Sequence, residues 1–385
     1  MRSLEFGFEV ASNADEKHLL SYYNEVLSRM ITTIDDGRNG FRTVLLPNAL
    51  SFQSLASRSL HQAILALSAL HLRDNQAAIR HKISSIRLLS QSIQANETQY
   101  IGQFGACMML CVCDVFDAVD GSWYSHMRAA DTISHLITSQ DSPDGLTASF
   151  LTSWLVYHKI LSEFSHLPNQ SFTPYTLPTI PKEDPTSQII IGSLGCSMQV
   201  FECISCINHI AKIIEQSPSK ALPANLSSMP IQLETQLKFL TQIPRIVDEN
   251  MRRDLDTSLI TQTAELYRIA SLIYLYQSVA HKPTGCPEFK HLVNDALVIL
   301  RKLGVCTSPW PLFIVACEVT DDEQRVVILE TLEKMRVVRR IGNVEIMRNI
   351  IEAVWKRGDL NAVESGMRVN WRDLVDMKWR VPSFI

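Results

Sequence analysis

Two cysteines spaced as Cys203-Ile204-Ser205-Cys206 are the first residues of this 385-residue chain that could do chemistry. The spacing suits a redox pair or half of a zinc site, and a zinc site normally takes a second pair at a suitable distance. Only Cys196 and His209 stand nearby. All four fall at helical spacing in an apolar run with Met198, Val200, Phe201, Ile204 and Ile207, a pattern that reads as buried free thiols on a helix. Cys107, Cys111 and Cys113 sit among Met108, Met109, Leu110 and Val112 and read the same way. No residue is therefore assigned to a metal, and no cofactor is expected. Histidine offers acid–base chemistry, because its ordinary pKa lies near neutrality. His126 follows Trp123 on a predicted helix, with Asp131 five residues on, too far round for an ideal i, i+4 contact. His158 stands beside Tyr157 and Trp154. These two are the catalytic candidates, and the competing reading for each is a structural histidine hydrogen-bonded between helices. Tyr267, Arg268, Tyr274 and Tyr276 read as helix-packing residues with wet polar tips. Ser217-Pro218-Ser219-Lys220 matches a serine-x-x-lysine pattern but lies in a proline loop without partner motifs. The sequence has no Gly-rich phosphate loop, no nucleophile elbow and no zinc-protease helix.

The elements that must position these residues are helices. Leu19, Tyr23, Val26 and Met30 recur at three- and four-residue spacing, as do Leu60, Ile64, Leu67 and Leu70, which predicts two amphipathic helices joined by a loop from Gly37 to Leu50. Ile83, Ile86, Leu89 and Ile93 predict another. Gly102 to Phe116 is apolar nearly all round, as in a helix buried on most sides. Prolines at 168, 174, 178, 181 and 185 rule out a helix interior, so an irregular segment is expected over 167–186, and a second over 217–230. Gln188 to Ile191 is too short to read as a regular strand. Near the end, Pro309 and Pro311 suit a helix's first turn, where the missing N–H would be unpaired anyway, so a buried helix is expected from Trp310. Thr320 and Glu323 read as a capping box for a helix to Met335, and another is expected from Asn343 to Trp355. The fold class expected is all-α, a large multi-helix bundle in a single body over 18–380, after an extension over 1–17.

Composition bounds the function. The chain is 46% hydrophobic with a net charge of −4, enough to bury a substantial core and without the basic excess that nucleic-acid phosphates reward. Direct DNA binding is not expected. The small basic groups Arg252-Arg253 and Arg336 to Arg340 read as solvated helix faces. The first residues carry Arg2, Glu5 and Glu9 instead of a signal peptide's apolar run, and no 18-residue apolar stretch is read later in the sequence, so an intracellular, non-membrane protein with reduced thiols is expected.

Several segments together resemble a known family. Tyr22-Tyr23, Phe41-Arg42, Leu45-Leu46-Pro47-Asn48-Ala49-Leu50 and Leu65-Ala66-Leu67-Ser68-Ala69-Leu70-His71-Leu72 look like the opening of the regulatory region of fungal zinc binuclear cluster transcription factors. Gly121-Ser122-Trp123-Tyr124-Ser125-His126-Met127-Arg128-Ala129-Ala130 resembles that region's tryptophan–histidine helix, with Ala129 where a glycine is common. Ala264-Glu265-Leu266-Tyr267-Arg268-Ile269-Ala270 with Ile273 to Tyr276 is similar to a further helix, and the Pro309-Trp310-Pro311 region to the closing ones. The resemblance implies transcription regulation in the nucleus or cytoplasm. The family's six-cysteine zinc module, which places a helix in the DNA major groove, has no counterpart here, since the first cysteine is Cys107. Two readings follow. One is a regulator of a metabolic or secondary-metabolite pathway that works through a DNA-binding partner or a small-molecule effector. The other is an enzyme or binding protein on the same scaffold, with His126 or His158 acting in an interhelical cavity. Any dimer is expected to use the globular surface, because no sustained heptad precedes Glu16.

Overall fold

The structure is a computed structural model that describes residues 14–118, 122–137, 145–165, 181, 184–219, 221–244, 257–282, 286–362, 369–375 and 382–384. It is predominantly helical, and the chain divides into two compact units, Met1–Leu155 and Val156–Ile385.

The first unit begins with α1 (Ala14–Tyr22), a π-helical turn (Tyr23–Leu27) and α2 (Ser28–Met30). The π turn corrects the expected stripe. A single π turn inserts an extra residue into the 3.6-residue period, so Leu27 is fully buried while Val26 turns to solvent. A second π turn (Phe41–Leu45) and α3 (Leu46–Leu50) occupy the stretch read as a loop, with Pro47 tolerated in α3's first turn. Tyr23 ties the two regions together by donating to the carbonyl of Phe41 at 3.1 Å.

Next come α4 (Leu55–His71), α5 (Asn75–Gln94), α6 (Tyr100–Asp117), α7 (Trp123–Ser134) and α8 (Gly145–Ser165), which continues into the second unit. α4 packs on α5 and α6, and α6 on α7. α6 is buried on almost every side, as its composition predicts. Its 18 residues, Asp114 and Asp117 included, are on average apolar enough and long enough to cross a membrane, which corrects the reading that no such stretch exists, but 83% of them are covered by protein.

α5 also departs from expectation. The helix forms, but only Leu89 of the four residues assigned to its buried stripe faces inward. Ile83, Ile86 and Ile93 are exposed, and the interior is met by Ala78, Ser85, Leu88, Leu89 and Ser92. Ser59 and Ser85 fix this orientation by exchanging hydrogen bonds, each hydroxyl donating to the other's carbonyl at 2.8 and 2.9 Å.

The second unit contains a small sheet that the sequence did not reveal. β1 (Ile189–Ile191) pairs antiparallel with β2 (Cys196–Ser197) and parallel with β3 (Ile243–Pro244), with Ile190 opposite Ser197 and Pro244. Gly195 closes the β1–β2 turn at φ 79°, a conformation natural to glycine. The strands are too short for a two-residue alternation to register. The sheet leads into α9 (Met198–Gln216), followed by α10 (Met229–Phe239), α11 (Thr257–Ser278), α12 (Pro287–Lys302), α13 (Pro309–Ala316), α14 (Asp322–Arg339) and α15 (Asn343–Ala362). α11 is the hub, packed against α9, α10, α12 and α13.

The 167–186 segment lies mostly outside the described residues. Its described end is a 3-10 turn (Pro185–Gln188) capped by Asp184. Over 217–230 the described backbone is irregular around a 3-10 turn (Ala224–Leu226), and Pro230 enters the first turn of α10. α14 is capped by Asp321, not Thr320: its carboxylate accepts from the backbone N–H groups of Glu323 and Gln324. Both α14 and α15 run past their expected ends, to Arg339 and Ala362. Arg339 is buried and donates to the Thr307 carbonyl at 2.7 Å, which corrects its reading as solvated. Arg252-Arg253 lie outside the described residues.

Candidate functional site

Within the second unit the ends of α8 and α9 meet the C-terminal half of α11, α13 and a 3-10 turn (Trp371–Leu374) around a cavity of about 320 Å³. That volume lies at the lower end of the range that holds small molecules. Sequence places each wall. Between Thr263 and Tyr276, α11 is buried at every position except Glu265 and Arg268, as a helix surrounded by its neighbours must be. α13 is an eight-residue helix buried throughout, started by Pro309 and Pro311 where proline fits.

The rings of Phe164, Tyr274, Phe313 and Trp371 line the cavity as part of a larger aromatic cluster. Phe164 meets Tyr274, Trp310, Phe313, Trp371 and Phe384 with ring centroids 5.2–6.2 Å apart, most of them edge to face. Arg372 lies over the rings of Phe164 and Trp371 at 5.2 and 4.8 Å and donates to the Phe164 carbonyl at 2.5 Å. A guanidinium stacked in this way covers apolar surface with its face and donates hydrogen bonds from its edge.

The polar wall is organised by Asn208. Its amide donates to the carbonyl of Ile160 at 2.9 Å, and its oxygen accepts from the Tyr274 hydroxyl at 2.8 Å. Burial pushes the Tyr274 phenol up, against the opposing pull of Arg372. Burial also pushes the Glu163 carboxyl above its ordinary range, opposed by the Asn208 hydrogen bond and by Lys159 and Lys212. His209 moves the other way: burial, then the charge of Lys212, lowers its pKa. Also in the lining, Gln277 donates to Glu318 at 2.5 Å. The cavity thus offers aromatic apolar surface beside a carboxyl held above its ordinary pKa and an imidazole held below its own.

The two histidine candidates lie elsewhere. His158, in the second unit, is buried edge to face with Tyr157 at 5.4 Å and does not line the cavity. His126, in the first unit, faces a partner that sequence reasoning missed. Its Nε2 is 3.5 Å from the buried carboxylate of Asp114, which also takes Lys82 at 2.5 Å and the Ser122 hydroxyl at 2.5 Å. The signal was present, because Asp114 is the one charged residue between Gly102 and Phe116. Asp131, the partner weighed for His126, instead lies 4.0 Å from His135.

Cys203 and Cys206 are buried on α9, and burial pushes both thiols up, Cys206 to about 11. Cys107, Cys111 and Cys113 are raised by the same cause, Cys107 to about 12. Thiols held protonated this way make poor nucleophiles and poor metal ligands. Among the described residues no three His, Cys, Asp or Glu side chains are grouped to hold a metal ion. Tyr267 packs flat on Trp310, and Tyr276 donates to Glu234 at 2.7 Å.

Comparison with known proteins identifies the family. The family model described as the fungal specific transcription factor domain matches residues 18–384. The chain is also similar to transcription factor iacI of Pestalotiopsis fici, 24% identical over 357 residues that cover 90% of this chain and 88% of that protein. No solved structure matches. A match that runs from α1 to the last described residues, and takes in both units, shows that the chain belongs to the fungal specific transcription factor domain family.

Proposed function

We propose that this chain is a nuclear transcription regulator of a metabolic or secondary-metabolite pathway, and that its second unit responds to a small-molecule effector in the α8–α9–α11–α13 cavity. The observation that carries this reading is the lining itself. An aromatic lining beside Asn208, Glu163 and His209 suits a largely apolar compound bearing a polar group. The effector works by preferring one arrangement of the surrounding helices, since a ligand shifts an equilibrium only by its differential affinity for the two states. Such a helix arrangement reaches transcription through a DNA-binding partner. The relative's description as a transcription factor supports the regulatory half of the reading.

The test is a deletion strain complemented with the wild-type gene or with Ser205→Phe, which fills the cavity from its α9 wall. Transcripts and metabolites are recorded from the same cultures. Transcripts of one pathway should fall on deletion, return with the wild type, and lose their response to that pathway's compounds with Ser205→Phe. Level transcripts together with accumulation of one intermediate would show instead that the chain acts on that compound directly.

A further inference from the structure

The exposed face of α5 is a heptad seam. Ile79, Ile83, Ile86 and Ile93 are 58%, 62%, 41% and 50% exposed, and with exposed Ser90 they follow one another at alternating intervals of four and three residues. That is the a/d spacing of a helix built to pair with another helix. A contiguous exposed apolar stripe of this kind on a monomer marks an interaction site. α5 also turns its small and polar residues inward. Ser85 exchanges hydrogen bonds with Ser59, and Ser92 donates to Glu97 at 2.7 Å while accepting from Gln103 at 2.9 Å. Rotating the helix to bury its isoleucines would break all of these bonds.

Charge says what covers the seam. With Ile83 and Ser90 at a positions, the e positions are Arg80, Arg87 and Gln94. Both arginines are exposed, and neither forms a hydrogen bond or ion pair among the described residues. The g side is closed by Lys82, which is paired with Asp114, and by buried Leu89. No acidic residue lies between Asn75 and Gln94. A second copy fits poorly in either direction: antiparallel pairing sets arginine against arginine, and parallel pairing sets the arginines against Lys82 or Leu89.

We infer that α5 is a docking surface for an amphipathic helix of another protein, one with apolar a and d residues and acidic residues along the edge facing Arg80 and Arg87. This surface belongs to the first unit and does not depend on the cavity reading.

The probe is a synthetic three-heptad helical peptide with leucine at a and d and glutamate at e and g, titrated into the full chain by fluorescence anisotropy beside the same peptide with lysine. The chain's net charge of −4 would by itself favour the lysine peptide. The glutamate peptide should nevertheless bind about tenfold more tightly, as two exposed pairs changed from attraction to repulsion require. The double variant Arg80→Glu/Arg87→Glu should invert the preference, and Ile83→Ser/Ile86→Ser should abolish both complexes with an unchanged melting temperature, because both side chains are exposed. Failure of the glutamate peptide to bind, equal affinities, or indifference to the arginine reversal overturns the proposal. So does a sedimentation result in which the chain is dimeric and Ile83→Ser/Ile86→Ser makes it monomeric, since a second copy would then be the occupant.

Discussion

Replacing Lys82 by methionine isolates what His126 does. In the wild type, Lys82 and His126 face the same buried carboxylate, that of Asp114, at 2.5 and 3.5 Å, and Ser122 donates to it. Removing one partner of a buried ion pair costs about 3–5 kcal/mol, because the remaining charge stays desolvated. Here the expected loss at pH 8 is smaller, about 2–4 kcal/mol, since Ser122 keeps its hydrogen bond and the Lys82 side chain was already 28% exposed. For a unit of this size that corresponds to roughly 6–12 °C in melting temperature. His126 is then the remaining side chain with a nitrogen near the carboxylate, so the double variant Lys82→Met/His126→Ala should lose more stability than the sum of the two single variants, because Asp114 keeps only Ser122. The assay is denaturant unfolding of the full chain and the three variants at pH 8, followed by tryptophan fluorescence and circular dichroism. Strictly additive losses would refute the view that His126 and Lys82 share this carboxylate.

Three further outcomes are expected. Trp310→Ala should cost about 3–5 kcal/mol, since the indole is fully buried against Tyr267, Tyr274 and Phe164. Trp310→Phe should cost less than about 1.5 kcal/mol, because it removes a buried N–H that has no partner among the described residues; equal losses in urea unfolding would count against this. Gly40→Ala should destabilise by about 1–3 kcal/mol although φ there is an ordinary −62°, because the added methyl collides with the Phe150 ring, which is held by Phe41 and Trp154; an unchanged melt would show that the ring moves aside. Finally, burial and the nearby His81 lower the His61 pKa to about 4, below its unfolded value. The unfolded chain then binds the extra proton between about pH 6.5 and pH 4, so this residue removes about 2 kcal/mol of stability between pH 7.5 and pH 5. His61→Leu should flatten that part of the stability–pH curve, and an unaltered slope would assign the acid sensitivity to other groups.

Residue pattern alone determined the helical class, the burial of α6 around Cys107 to Cys113, the start of α13 at its prolines, and the family resemblance. Those features rest on interactions within a few residues along one segment, such as a repeat of 3.6, a missing N–H or a run of apolar side chains, and they leave a direct trace in the sequence. Tertiary structure decided which face of a helix is buried. α5 shows why: its isoleucines and its serines both repeat with a helical period, and the choice between them was made by Ser59 and Glu97 on other segments. The π turn at Tyr23–Leu27 likewise exchanged Val26 for Leu27 without altering composition. The three-stranded sheet joins strands whose partners lie up to about fifty residues apart, beyond the reach of a local pattern. The Asp114 centre draws on α5, α6 and α7, and the cavity on α8, α9, α11, α13 and the turn at Trp371. Local pattern names the residue types such sites need. Only the packing of distant helices brings them within hydrogen-bonding distance, because contact energy depends on separation in space and not along the chain.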